Sequence, residues 1–511
     1  MSLRLARGVG QRHYSKRRIF LLTSAMALGG GLMFSSFGLA PHSSGSALFA
    51  PPYAHAEVAP NAQRPVGFAD IVEAVKPAVI SVKVKMSAGG DAFSLNEDNP
   101  LRGTPFEDFF RRFGQPDNPR FGDRDRGPRP QRRQYTMGQG SGFFISADGY
   151  AVTNFHVVDK TDSVEITTDD GRTFKAKVIG ADQRSDIALI KVDGGSNFPF
   201  VRFADASPRI GDWVIAVGNP FGLGGSVTAG IISGRGRDIG AGPYDDFIQI
   251  DAAVNRGNSG GPSFDVEGNV IGVNTAIVSP TGGSIGIAFA VPADTAKAVV
   301  AQLRDKGKVI RGWIGVQIQE VTPDLAENLG LAAARGALVA EPQADGPAVK
   351  VGIEAGDVIT AINGKEVGES REVAKTISAM APGTGVKLTL MHKGQEKTVN
   401  VVLGNLPDQR EASISPEIPK QRGTAVPRLG MTVAPQGEGV VVTNVDPDGI
   451  AAEQGFEAGD VIVQASGKKV GNAGELRAAI EAAQKAGKHT VLLRVKSSEG
   501  AKFVALPVGR L

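Results

Sequence analysis

The segment Gly257-Asn258-Ser259-Gly260-Gly261-Pro262 sets a serine hydroxyl in a run of small residues. A hydroxyl attacks a carbonyl when a base takes its proton and donors receive the charge that develops on the carbonyl oxygen. Small neighbours allow a tight turn. The amides of Gly257 and Ser259, with Asn258 shaping the turn, can then converge on one oxyanion hole. A glycine-rich hairpin with an incidental serine is the competing reading, and the choice of base weighs against it. Of six histidines, His13, His42 and His55 fall among the first 56 residues, and His392 and His489 fall in a C-terminal repeat. That leaves His156, which follows the apolar run Ala151-Val152-Thr153-Asn154-Phe155 at the end of an expected strand. With no cysteine in the chain and no second histidine close by in sequence, His156 reads as a general base rather than a metal ligand. Asp186 directly abuts the apolar run Ile187-Ala188-Leu189-Ile190. A carboxylate fixed at the start of a strand suits a group that holds an imidazole tautomer and stabilises its cation. Asp182 is its rival.

These residues need a scaffold of strands. From Gly140 to Pro292, short Val, Ile and Phe runs alternate with Gly, Asp and Asn turns, as in Val164–Thr167, Ile187–Val192, Trp213–Val217 and Val270–Asn274. That pattern predicts an all-β barrel or sandwich. A short helix and a strand, Val79–Val84, precede it, and a helix over Ala293–Lys306 follows. Between them, roughly Ser87–Met137 is rich in Gly, Pro, Asp and Arg around an aromatic patch, Phe106–Phe110. This reads as a solvated flexible loop rather than a nucleic-acid patch.

Further on the chain repeats itself. Gly352-Ile353-Glu354-Ala355-Gly356-Asp357-Val358-Ile359 returns as Gly455-Phe456-Glu457-Ala458-Gly459-Asp460-Val461-Ile462, and Asp345-Gly346 and Gly364-Lys365 recur in the same register. Matching blocks at one offset predict a duplicated module of about 90 residues. The proline-rich, charged stretch Leu406–Pro427 between the copies reads as a semi-rigid linker.

Composition sets outer bounds. At 511 residues several domains are expected. The near balance of 56 basic and 53 acidic side chains argues against a nucleic-acid binder. The absence of cysteine excludes disulfides and thiol catalysis. Arg12, Lys16, Arg17 and Arg18 precede an apolar stretch, Ile19–Ala40, and Ala54-His55-Ala56 offers a small-x-small cleavage site. This predicts an export signal over residues 1–56. The alternative is an uncleaved anchor, weakened by Gly29–Gly31. The run Arg17-Arg18-Ile19-Phe20-Leu21 matches a twin-arginine signal only in part.

The order His, Asp, Ser resembles the trypsin-like fold. The segments Thr153-Asn154-Phe155-His156-Val157, Asp186-Ile187-Ala188-Leu189 and Gly257-Asn258-Ser259-Gly260-Gly261 resemble the HtrA/DegP family of periplasmic protease-chaperones. The resemblance implies a mostly β chain: a trypsin-like double β-barrel over 66–305, with the flexible insertion 87–137, then two α+β PDZ domains over 308–404 and 426–509, joined by a linker over 405–425. It implies that Thr275, Ala276, Ile277, Val278 and Ser279 continue a strand that pairs with substrate. It also implies a specificity pocket around Ile285 and Ile287, whose apolar walls favour small aliphatic side chains. That pocket segment contains no aspartate to attract Lys or Arg. Arg237 is similar in position to a sensor-loop arginine that relays activation to the oxyanion hole. Trp313, Ile314, Gly315 and Val316 resemble a carboxylate-binding loop, with a groove helix near Arg371–Met380. The second copy has Arg428-Leu429-Gly430-Met431 and a helix near Glu475–Gln484. There a structural or assembly role stands equal to peptide binding.

The expected protein is therefore an exported, ATP-independent serine endopeptidase of the periplasm that degrades unfolded or damaged envelope proteins. No cofactor and no metal are expected. Its expected partners are unfolded polypeptides and exposed C-terminal peptides, with no nucleic acid, room for association with a membrane surface, and assembly into trimers or multiples of trimers. The rivals are a chaperone that holds unfolded chains without cutting them and a regulatory protease with one signalling substrate.

Overall fold

Twelve short strands between Val79 and Pro292 close into two six-stranded barrels in a computed structural model that describes residues 67–87, 135–161, 163–222, 224–240, 242, 244–255, 257–279, 283–407, 423–498 and 500–508. The expected export signal, the Phe106–Phe110 patch and most of the expected linker lie outside these residues. Val66–Leu511 forms a single compact unit.

The first barrel comprises β1 (Val79–Ser87), β2 (Tyr135–Phe144), β3 (Tyr150–Thr153), β4 (Ser163–Thr167), β5 (Thr173–Asp182) and β6 (Ile187–Val192). Its strands run β1-β2-β3-β6-β5-β4, and β4 pairs back onto β1. β2 begins at Tyr135, within the stretch expected to be an insertion, and pairs with β1 from Tyr135 through Phe143. The second barrel comprises β7 (Trp213–Gly218), β8 (Ser226–Arg237), β9 (Phe247–Ile250), β10 (Pro262–Phe264), β11 (Val270–Ile277) and β12 (Ala288–Pro292), in the order β10-β11-β12-β9-β8-β7. Closure leaves few free edges, and short strands of β-branched residues fill the interior. Every residue of β11 is buried.

One apolar core runs through both barrels. Phe143, Val152, Ile187 and Leu189 of the first pack with Val214, Ile250, Phe264 and Val273 of the second. The helix Ala293–Lys306 lays Ala296, Val299, Val300 and Leu303 on the same core, and Gly307 ends it in the left-handed conformation. The barrels are thereby fixed to each other by burial and do not depend on any one polar bridge.

The first repeat follows. It comprises β13 (Gly312–Trp313), β14 (Val316–Glu320), β15 (Ala337–Pro342), β16 (Val358–Ile362), β17 (Lys365–Glu366), β18 (Gly385–His392), β19 (Gln395–Val402) and β20 (Gly404–Asn405). The helix Ser370–Ser378 covers its sheet with Val373 and Ile377. The second repeat comprises β21 (Thr424–Val426), β22 (Met431–Gln436), β23 (Gly439–Val445), β24 (Val461–Ala465), β25 (Lys468–Lys469), β26 (Thr490–Ser497) and β27 (Gly500–Pro507), with the helix Ala473–Lys485. β21 starts at Thr424, inside the stretch that reads as linker in the sequence.

Candidate active site

His156 and Asp186 meet at one end of the first barrel. β3 ends at Thr153, Asn154 continues extended, and a single helical turn over Phe155–Val158 carries His156, anchored by buried Val157 and Val158. Asp186 closes the turn between β5 and β6, where its amide donates to the Gln183 carbonyl at 3.3 Å. The Asp186 carboxylate lies 2.8 and 3.0 Å from His156 Nδ1 and also accepts the His156 amide at 3.0 Å. A carboxylate against Nδ1 favours a proton on that nitrogen, which leaves Nε2 as the basic one. Both side chains keep about one seventh of their surface exposed, at 14% and 16%.

Ser259 belongs to the second barrel. Its turn is closed by the Asn258 amide to Asn255 O at 3.1 Å and the Gly261 amide to Asn258 O at 2.9 Å. It is stitched to β11 by Gly260 N to Asn274 O and Asn274 N to Gly261 O, each 2.8 Å, and to the first barrel by Ser141 N to Ser259 O at 2.8 Å. Gly260 has φ +83°, and a Cβ there would stand 2.3 Å from Ser141 O and 2.5 Å from Thr153 Oγ1. Only glycine lets the serine turn press against the strand end that leads to His156. The Ser259 hydroxyl donates to the Thr275 carbonyl at 3.5 Å. Among the described residues, the Gly257 and Ser259 amides have no backbone acceptor. The Ser141 hydroxyl holds the Gly257 carbonyl and accepts from the Asn219 amide at 2.8 Å.

Along the strand expected to pair with substrate, the two flanking strands end at different points, and Thr275–Ile277 are buried. β10 pairs with β11 only as far as Val273, whereas β12 accompanies β11 through Ile277 on the other side. Beyond it, Val278 N donates to Ile287 O at 3.1 Å and the Ser279 hydroxyl donates to Gly283 O. This places the loop of Ile285 and Ile287 beside the strand. Ile285 is exposed and Ile287 packs partly on the shared core. The Asn255 side chain holds this loop through Ser284 N at 3.0 Å.

Asp182, the rival carboxylate, is engaged elsewhere. Both its oxygens lie 2.7 Å from the Arg311 guanidinium, and it accepts from the Ser185 amide and hydroxyl. Burial works to raise the Asp182 pKa, but Arg311 and then Ser185 outweigh it and hold the carboxyl below the usual range. Arg311 and Arg184 both lie against the Tyr244 ring. The pair joins the first repeat to the loop that carries Asp186. Sequence reasoning did not find it, because nothing in a linear reading couples residues 129 positions apart. It also passed over Asn154, whose amide bonds to Asp186 and Thr275.

Arg237 ends β8 and is exposed. Its neighbours make the contacts with the first repeat. Lys375 pairs with Asp246, and Arg371 lies 3.8 Å from Asp238 and 3.4 Å from the Gly236 carbonyl. In that repeat Trp313 pairs with Gly404, Ile314 is buried, and Val316 opens β14. Gly315 has φ +77°, and a Cβ there would stand 2.5 Å from the Gly346 backbone. Among the described residues, the Ile314 and Gly315 amides donate to no backbone carbonyl. No three His, Asp or Glu side chains among the described residues cluster as metal ligands, and no helix among them is long and apolar enough to cross a membrane.

Residues 140–273 match the family model of the trypsin-like peptidase domain, and residues 312–403 and 427–499 match that of the PDZ domain. A protein of Brucella suis called a probable periplasmic serine endoprotease, DegP-like, is 52% identical over 462 residues, covering 87% of this chain and 90% of its own. Proteins of the same description from Rhizobium meliloti and Pseudomonas putida are 48% and 39% identical. They cover 86% and 80% of this chain and 92% and 86% of their own. Among solved structures, the HtrA-type protease AlgW with a decapeptide is 36% identical, with a TM-score of 0.54 over 67% of this chain and all of that one.

Proposed function

The chain belongs to the DegP-like family of periplasmic serine endoproteases, and from that premise we propose that Ser259, His156 and Asp186 act as its catalytic triad on unfolded or damaged envelope proteins. The observation that carries this reading is the Asp186 carboxylate 2.8 Å from His156 Nδ1, with the Ser259 turn close against Thr153 and Asn154 just before that histidine.

In this mechanism His156 Nε2 takes the Ser259 proton as Oγ attacks the substrate carbonyl. The Gly257 and Ser259 amides receive the negative charge on the former carbonyl oxygen, and Asp186 stabilises the imidazolium. His156 then protonates the departing amine, and water hydrolyses the acyl-enzyme without ATP. The substrate backbone adds along Thr275–Ser279. Ile285 and Ile287 favour small aliphatic residues before the scissile bond. The first PDZ domain would take exposed C-termini through Trp313–Val316. Trimers through the catalytic domain complete the proposal. The exposed Trp213, edge-on to Phe68 at 5.4 Å, offers an apolar face for that contact. Sedimentation of a Trp213→Glu variant as the same oligomer as wild type would argue against this face.

Ser259→Ala should lower casein cleavage about 10⁴-fold or more while the protein stays folded. Cleavage at the wild-type rate would remove Ser259 from the chemistry. If the variant still suppresses aggregation, holding and cutting are separable functions of one molecule.

A further inference from the structure

We propose that Asn154 is a positioning residue, which fixes the Asp186 backbone and ties the His156–Asp186 pair to the half of the site that carries Ser259. This rests on the triad reading above. Asn154 is fully buried between the barrels. Its Nδ2 donates to the Asp186 carbonyl at 2.8 Å and to Thr275 Oγ1 at 3.0 Å. Thr275 Oγ1 spends its own proton on the Val273 carbonyl at 3.1 Å, so it must accept from Asn154. A flipped amide would set Oδ1 against the Asp186 carbonyl, two acceptors face to face, so the network fixes the orientation.

The far ends of this bridge matter. Asp186 has φ +53°, a left-handed conformation uncommon for a residue with a Cβ, though less so for aspartate than for most. Its carbonyl is held by Asn154 Nδ2 and by the Phe155 amide at 3.2 Å. The same conformation aims its carboxylate at His156. At the other end, Thr275 offers its carbonyl to the Ser259 hydroxyl. One side chain thus touches the residue behind the imidazole and the residue behind the nucleophile.

Packing alone does not call for an asparagine here. The barrels already share an apolar core. Among the described residues Asn154 Oδ1 is buried without a hydrogen-bond partner, while Nδ2 serves both ends of the bridge. Leucine would fill the space without donors, and aspartate would repel the Asp186 carbonyl.

The test is steady-state kinetics on the full chain with an unfolded substrate, together with the low-field proton resonance of His156 Nδ1–H. Asn154→Ala should lower kcat about 30- to 100-fold, as for a misplaced catalytic group, with KM within about twofold. The Nδ1–H resonance should broaden or vanish. Thr275→Val should cost about tenfold, Thr275→Ser should recover most of that loss, and adding Thr275→Val to Asn154→Ala should cost little more. A folded Asn154→Ala that keeps kcat within about threefold and keeps the resonance overturns the proposal. Should Asn154→Ala fail to fold, Thr275→Val decides in the same way, and an unchanged kcat overturns it. Wild-type cleavage by Ser259→Ala would instead sink the triad reading.

Discussion

The two PDZ domains share the sheet order β14-β15-β16-β18-β19 and β22-β23-β24-β26-β27, yet they differ at one edge. In the first, β14 is the outermost strand of its sheet among the described residues, with the helix Ser370–Ser378 beside it. The segment before its loop is drawn away: Gly312 N donates to Met380 O at 2.9 Å, and β13 pairs with β20. In the second, β21 folds back antiparallel onto β22. The Arg477 side chain, on the helix Ala473–Lys485, donates to the Ala425 carbonyl at 3.1 Å, and Val426 is buried in the domain core. The position where a ligand strand would add is taken by the chain itself. Duplicated sequence thus does not give duplicated sheet edges. The outcome is set by the few residues that precede each loop, outside the repeated blocks.

The largest expected effect tests that asymmetry directly. In the Ser259→Ala protein, an apolar C-terminal peptide should bind at one site per chain by fluorescence anisotropy. Gly315→Val, which drives a side chain into the Gly346 backbone, should weaken binding about 100-fold. The counterpart Gly430→Val, whose Cβ would meet Gly449 Cα at 2.7 Å, should leave affinity within about twofold. Ala425→Pro, which removes a backbone donor from β21, should free the β22 edge and add a second, weaker site. Equal losses from both glycine substitutions would mean that both domains bind.

Why this asymmetry was hidden is instructive. The serine turn, the lone histidine and the aspartate at the start of β6 could be read in the sequence, because each sits in a local pattern: small residues, the end of an apolar run, the start of the next. The strands were legible as well, since short Val, Ile and Phe runs stand between Gly, Asp and Asn turns. Thr424–Val426 has no such pattern and follows a proline-rich, charged run, so it reads as linker. Its fate depends on an edge formed by residues further along the chain. The Arg311–Asp182 and Asn154–Thr275 contacts are hidden for the same reason. They are products of closure, and their residue types in isolation indicate a surface ion pair or a polar turn.

A second difference lies in the arginine that opens each loop. Arg311 reaches out to Asp182 of the catalytic domain, whereas Arg428 reaches in, to Gln484 of its own domain at 2.7 Å. Both members of the first pair are nearly buried, at 11% and 10% exposed. Asp182→Asn should therefore cost about 2 kcal/mol at neutral pH. The acid response gives the sharper signature. The Asp182 pKa is depressed in the folded chain, so between the folded and unfolded values the unfolded chain binds more protons and stability rises with pH. The contribution is complete above the unfolded value, near about 3.9, and drains away as pH falls through the lower folded one. Calorimetry of Asp182→Asn should show a flatter loss of melting temperature over that acid window, and Arg428→Ala should leave the wild-type slope. A wild-type slope in Asp182→Asn would mean that the pair does not tie the first domain to the catalytic one.

The smallest expected effect concerns the back of β14. Alternation sends Val316 and Ile318 toward the first domain's own core, and Gln317 and Gln319 to the opposite face. There the second domain docks. The Gln319 side chain pairs with both the amide and the carbonyl of Phe503, at 2.6 and 3.0 Å, and Gln317 accepts from the Ala501 amide at 3.0 Å. Leu338 and Ala340 of the first domain pack with Leu492 and Phe503 of the second beneath them. A side-chain amide here completes the free edge of β27 as a strand would. Because the apolar contact remains, Gln319→Ala should cost about 1 kcal/mol of docking. Hydrogen exchange at the Phe503 amide should speed about fivefold by the same measure, while exchange within β22 and β23 stays unchanged. Uniform acceleration across the second domain would mean that Gln319 supports its folding. No change at Phe503 would mean that the two domains part readily in solution.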